Sequence, residues 1–150
     1  AVIAVAMDMN ASYNKLVTKH LPKAQIVYDR FHMQSQFGRD VLGVVRLDEA
    51  RRHKAKEKEI LADISDDTDK ETMKSLKQEA KAEKQGYSQL KKLRWSLLIN
   101  SDKLSDSKTE QLQSILQDHH DLAVCYAMKE EMCRLYEVTD YQQAVTGWTK

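Results

Sequence analysis

The stretch Val2-Ile3-Ala4-Val5-Ala6-Met7-Asp8, read with its companion Ala24-Gln25-Ile26-Val27-Tyr28-Asp29, decides the fold class. Each is a short apolar run that stops at an aspartate. Runs of this kind read as strands covered on both faces, the pattern of a parallel sheet rather than the alternation of a half-solvated one. Between them, Asn10 can cap a helix carrying Tyr13, Leu16 and Val17 on one side, and Pro22 ends it. Strand, helix, strand makes one βαβ unit, with a crossover expected to be right-handed. Open α/β sheets place their chemistry at the C-terminal ends of neighbouring strands, so Asp8 and Asp29 mark a candidate site.

After His32 the apolar period changes. Met33, Phe37, Val41, Val44 and Val45 recur at helical spacing and open a long helix. Its middle, Arg46 to Lys58, is almost wholly charged, so it is expected to project from the body or to be covered on one side only. Ile60, Leu61 and Ile64 restore an apolar stripe, and the polar turn Ser65-Asp66-Asp67-Thr68-Asp69 can cap the helix that follows. That helix carries Met73, Leu76, Ala80, Tyr87, Leu90, Leu93 and Leu97 near a heptad spacing, with Gly86 as a weak point. An antiparallel helical hairpin buries both stripes most economically.

Asn100 to Ser105 reads as a loop, and Ser105 or Asp106 can cap a third long element. Leu112, Ile115, Leu116, Leu122, Ala123, Tyr126, Met132, Cys133 and Tyr136 mark its buried face, and His119-His120-Asp121 is either a break or a continuation. Thr139-Asp140 opens a short final helix with Ala144, Val145 and Trp148. The expected fold class is therefore α/β and predominantly α-helical. Residues 1–32 form a small α/β core, 33–137 a helical segment, and 138–150 a helix leading back toward the core.

Composition supports that division. Of 150 residues, 31% are charged and only 7% aromatic, which points to a thin core and much solvated helix surface. Four glycines and one proline leave little turn chemistry for a sandwich or barrel. A net charge of +1 says nothing about nucleic acid, because a local basic face can bind phosphate while acids elsewhere cancel it. Cys125 and Cys133 form no CxxC pair, no secretory signal precedes them, and two helical turns are too far for a bridge, so reduced thiols in a cytoplasm are expected. No apolar stretch approaches the roughly 18 residues of a membrane span. The chain starts without an initiator methionine on a strand of the buried type, which reads as a piece of a longer protein.

Taken together, Val5-Ala6-Met7-Asp8-Met9, Tyr13, Leu21-Pro22-Lys23-Ala24-Gln25-Ile26-Val27 and Asp29-Arg30-Phe31-His32 resemble the catalytic core of DDE transposases, specifically the ISL-three family of bacterial insertion sequences. Weaker similarity continues through Val45-Arg46, Leu93 to Leu98 and Ala127 to Tyr136. The resemblance implies a partial RNase H-like core interrupted by an α-helical insertion, in a cytoplasmic bacterial recombinase that cuts and joins DNA by metal-assisted phosphoryl transfer. It implies that Asp8 is the second metal-binding carboxylate, and that Asp29 and His32 form a D-x-x-H pair that supports the site structurally. Mg2+ or Mn2+ would serve the complete enzyme, because such chemistry needs clustered carboxylates around two divalent ions. The family's first aspartate and final glutamate find no counterpart in this chain. The chain is thus expected to be inactive alone and to bind no metal by itself.

Each of these residues also has a plainer reading. Asp8 and Asp29 can be helix caps, and His32 a hydrogen-bonded histidine at a strand exit. Arg46, Arg51, Arg52, Lys54, Lys56 and Lys58, with Lys91, Lys92 and Arg94, can contact DNA phosphates, or form a solvated helix face interleaved with Asp48, Glu49 and Glu57. Trp95 reads more readily as a packed helix tryptophan than as a base-stacking one. His119, His120, Cys125 and Cys133 match no common zinc-finger spacing. A noncatalytic helical interaction or dimerisation module is the competing function, and a decayed transposon remnant a third. If the missing strands are absent, the free edge of the first strand favours self-association.

Overall fold

The structure, a computed structural model, describes residues 1–148. It divides into two compact units, one comprising 1–40 with 129–150 and the other 41–128.

In the first unit, β1 (Ala4–Met7) and β2 (Gln25–Tyr28) pair in parallel, with Ala4 opposite Gln25 and Met7 opposite Tyr28. Helix α1 (Ala11–His20) connects them. Its cap is Asn10, whose side chain accepts from the Ser12 N–H at 2.9 Å, satisfying one of the helix's orphan donors. The expected βαβ unit is therefore present. Its coverage differs from expectation. Ile3 is 83% exposed, Leu16 54% and Val27 46%, because two short strands and one helix cannot enclose both sheet faces.

Helix α2 (Arg30–Phe37) follows β2 directly and runs into a π-helical stretch, Gly38–Leu42. The C-terminal part of α7 (His120–Leu135) and helix α8 (Tyr141–Trp148) complete the unit. Asp140 opens α8 as expected, accepting from the Gln143 N–H at 2.8 Å. The side chains of Ala144 and Trp148, assigned to its apolar face from the sequence, lie outside the described residues. Cys133 is buried and accepts a hydrogen bond from Gln34.

The second unit is the helical hairpin. Helix α3 (Gly43–Ala62) packs along α4 (Lys70–Lys92), then come the short α5 (Arg94–Leu98), α6 (Asp106–Asp118) and the first part of α7. Asp69 caps α4, accepting from the Glu71 and Thr72 N–H groups at 3.0 and 2.9 Å. Leu42, Leu90, Leu97, Leu112 and Leu122 are fully buried and form the core.

The charged middle of α3 does not project. Arg46, Ala50, Glu57 and Ile60 are its buried residues, spaced to share one helical face with His53. Charge is tolerated there because partners meet it: Arg46 Nη1 donates to the Leu90 and Lys91 carbonyls at 3.1 and 3.3 Å, and Glu57 accepts from Lys54 at 2.8 Å. Gly86 leaves α4 unbroken. A Cβ there would stand 2.8 Å from His53 Cε1, so the missing side chain makes room for that ring. At His119, by contrast, the backbone leaves helical geometry (φ −129°, ψ 80°) and splits the third long element into α6 and α7.

Among the described residues, no helix is long and apolar enough to cross a membrane.

Candidate carboxylate and basic-surface sites

Parallel pairing builds the carboxylate site. Each strand ends one residue before an aspartate, and the Asp29 N–H donates to the Met7 carbonyl at 3.0 Å, holding both strand exits side by side. Asp29 then caps α2, its Oδ1 accepting from the Phe31 N–H at 2.9 Å. One turn into that helix, His32 turns back toward the sheet end. Its Nδ1 lies 3.0 Å from Asp8 Oδ1 and 3.4 Å from Asp29 Oδ2. With carboxylates as its neighbours, this nitrogen carries the proton and donates.

The three side chains are about half exposed, at 49% for Asp8, 41% for Asp29 and 53% for His32. Their ligand atoms lie within 4.8 Å of one another. The two carboxylates are not equivalent. Both oxygens of Asp29 are engaged, one by a backbone N–H and one by His32, whereas Asp8 Oδ2 has no hydrogen bond among the described residues. Asp29's pKa is pulled below the ordinary aspartate value of 3.8 by the Phe31 N–H first, against a smaller desolvation effect, and then by His32 and Arg30.

A depressed carboxylate pKa stabilises the fold above its unfolded value, and that contribution is lost as pH falls through the folded value. Asp29→Asn should therefore lower the thermal midpoint at neutral pH, with the difference from wild type closing as the solution is acidified below the unfolded aspartate value. Parallel melting curves of the two proteins across that range provide the check. A deficit unchanged by acid would remove the charge from the explanation.

The donor set suits a hard divalent cation. Magnesium is commonly held by one or two carboxylates together with substrate phosphates and water, and Asp8 offers an open carboxylate oxygen. Three groups of which one imidazole nitrogen is already a donor do not make a complete cage for two ions.

The basic residues are sorted by the second unit. Arg46, a candidate phosphate contact from the sequence, is only 7% exposed and its guanidinium is bound to helix carbonyls. Burial, then the neighbouring Arg94, lowers its pKa. It is a brace of the hairpin, unable to reach a phosphate without leaving its carbonyls. Arg51, Arg52 and Lys54 are exposed but ion-paired with Asp48, Glu49 and Glu57, and Lys56 pairs with Glu83. Lys58, Lys91, Lys92 and Arg94 are also on the surface.

Two aromatic rings join this surface. The ammonium groups of Lys54 and Lys91 lie 5.8 and 5.9 Å from the centre of the Tyr87 ring, and the Arg94 guanidinium stands 5.1 Å from the Trp95 ring. Trp95 is 66% exposed, contrary to the packed role expected for it. Tyr87, Lys91, Arg94 and Trp95 follow an i, i+4, i+7, i+8 spacing, a signal of a shared face that was present in the sequence. His119 and the cysteines do not converge: Cys133 is held in the first unit and His119 pairs with Glu49 in the second.

Paired acids at the shared exit of two parallel strands, with a predominantly helical remainder, are the features of a nucleic-acid-processing α/β protein of the transposase class. The sequence profile of the ISL3-type DDE family, described as Transposase, matches residues 1–150, and the chain belongs to that family. It is similar to the transposase for insertion sequence element IS1001 of Bordetella parapertussis, with 31% identity over 133 residues, covering 89% of this chain. That stretch is 26% of the relative's length, so the chain spans about a quarter of it. No solved structure matches significantly.

Proposed function

We propose that this chain supplies part of the catalytic core and the helical insertion of a DDE transposase that cleaves DNA and transfers the cut strand. The observation that carries the reading is the meeting of Asp8, Asp29 and His32 at one end of the parallel strand pair in a chain of this family. Asp8 is the metal-binding carboxylate, since its outer oxygen is open. Asp29 fixes the start of α2 and, with it, His32, and His32 holds the Asp8 carboxylate by its Nδ1–H. A bound Mg2+ or Mn2+ would supply Lewis-acid activation of the attacking oxygen and stabilise the leaving one. The apolar side chains left exposed around β1, β2 and α1 suit the remainder of an RNase H-like sheet and its helices. By itself, with one open carboxylate, the chain lacks the donors for two-ion chemistry.

The insertion meets DNA through the Tyr87, Lys91, Arg94 and Trp95 face, with Lys92, Arg51, Arg52 and Lys54 adding positive charge. Cations set affinity by displacing counterions from phosphates, while an exposed aromatic ring can stack on an unpaired or distorted base. Fluorescence anisotropy with DNA carrying the element's end tests this. Combined Lys91→Ala and Arg94→Ala should weaken binding and lower the salt slope by about one for each phosphate left without its cation. Trp95→Ala should cost about 1–3 kcal/mol on a substrate with an unpaired base. Unchanged affinity in both variants would remove this face from the DNA interface.

The isolated chain should also self-associate through the exposed β1 edge and its neighbouring apolar side chains. Sedimentation across micromolar concentrations should show a concentration-dependent species, reduced by Ile3→Lys. A strictly monomeric wild type would contradict this.

A further inference from the structure

The second unit contains a pair of histidines that the carboxylate site does not use. His53 Nδ1 lies 2.6 Å from Glu83 Oε2, and His119 Nδ1 lies 3.1 Å from Glu49 Oε2. Each glutamate is itself neutralised by a cation from α3, Lys56 at 3.0 Å from Glu83 and Arg52 at 2.6 Å from Glu49. The two imidazoles meet edge to face, with ring centres 5.2 Å apart.

This arrangement has the chemistry of a metal-ligating histidine pair. A carboxylate on Nδ1 fixes the tautomer with its proton there, leaving Nε2 as the lone-pair nitrogen and raising its basicity; histidines that bind metals are held this way as a rule. Neither Nε2 has a hydrogen-bond partner among the described residues. Zinc–nitrogen bonds of about 2.0–2.1 Å around a tetrahedral ion put the centres of two Nε2-bound rings roughly 5 Å apart, the separation already present. Both rings line a cleft of about 480 Å³ whose wall also carries Asp118, Gln85, Gln89 and Gln111.

From this geometry we propose that the helical unit binds one Zn2+ or a similar transition-metal ion through His53 and His119. Water and the cleft's oxygen-bearing side chains complete the coordination. The ligands come from α3 and from the break between α6 and α7, so the ion ties the α6–α7 corner to the hairpin. The site differs in its donors from the carboxylates of Asp8 and Asp29: imidazole nitrogens suit zinc, nickel and cobalt, while carboxylate and phosphate oxygens suit magnesium. Seating His53 requires glycine opposite it, since a Cβ on Gly86 would lie 2.8 Å from Cε1 and 3.1 Å from Nε2.

Zinc alone is titrated into the 150-residue chain, followed by calorimetry and by histidine ring resonances in the NMR spectrum. One ion should bind per chain, raise the thermal midpoint and shift the His53 and His119 resonances. His53→Gln and His119→Gln should each weaken binding by roughly 10-fold or more, and Glu49→Gln, which leaves both imidazoles in place, by about 10–100-fold. Asp8→Asn should leave zinc affinity unchanged. Because the resonance shifts are read on the wild-type chain, a variant that fails to fold does not blunt the test. No stoichiometric binding, shifts confined to His20, His32 or His120, or undiminished affinity in both histidine variants of intact fold would overturn the proposal.

Discussion

Asp8→Asn, introduced into a complete transposase containing this segment, should reduce metal-dependent cleavage at the element's ends on the order of 10³-fold or more, the scale on which catalytic groups acting as a unit fail. The fold should survive the change. The Asp8 side chain is half exposed and caps no helix, since the neighbouring Asn10 performs that role for α1. An asparagine can still accept from His32 through its carbonyl oxygen, but it presents no negative charge to a cation. Binding of end DNA should therefore remain within about twofold of wild type, while the chemical step is lost, the pattern of an interaction needed in the transition state. Asp29→Asn should behave differently. It retains a capping oxygen for the Phe31 N–H, so its effect should fall on His32 placement and stability, and a partial loss of cleavage should accompany both. Cleavage assays and DNA-binding isotherms on the same preparations separate the two cases.

The second large effect is structural. Arg46→Ala should destabilise the helical unit by about 2–3 kcal/mol, because two carbonyls near the end of α4 lose a charged donor in a buried setting and the Arg46 stem leaves a gap beside them. Arg46→Lys should recover part of the loss: an ammonium can reach a carbonyl but lacks the planar fork that serves the Leu90 and Lys91 oxygens together. Urea denaturation gives the comparison. Arg51→Ala, whose side chain is 72% exposed and paired only with Asp48, should change stability by less than about 1 kcal/mol. A stable Arg46→Ala with weakened DNA binding would return Arg46 to the phosphate contacts.

How far the sequence disclosed these features depends on the range of the interactions behind them. The strand exits at Asp8 and Asp29, the Asn10 and Asp69 caps and the α3–α4 hairpin rest on local patterns, and each stands in the structure. Arg46 and Glu57 misled because their pattern is that of a solvated face. Arg46 has its acceptors 44 and 45 residues away, and no local signal announces a partner at that distance. The His119 break was open for a similar reason, since its side chain is anchored by Glu49 of α3, 70 residues earlier. Trp95 was more accessible to reasoning. Leu93 and Leu97 are both buried, and a residue midway between two such positions on a helix points to the opposite side.

The carboxylate site was legible as residues but not as roles. Sequence spacing placed Asp29 and His32 one turn apart on α2, where they pair. The shorter contact from His32 to Asp8 depends on the parallel register that sets Met7 against Tyr28. That register also produces the inequality between the acids, one fully engaged and the other open on its outer oxygen.

The most direct test of the central claim replaces magnesium with Fe2+ in the complete transposase bound to its end DNA, and maps polypeptide cleavage by the radicals generated at the ion. Cuts should cluster beside Asp8 and the 29–32 segment, and Asp8→Asn should abolish them. Cuts elsewhere in the protein with none at these positions would contradict Asp8 as a metal-binding carboxylate.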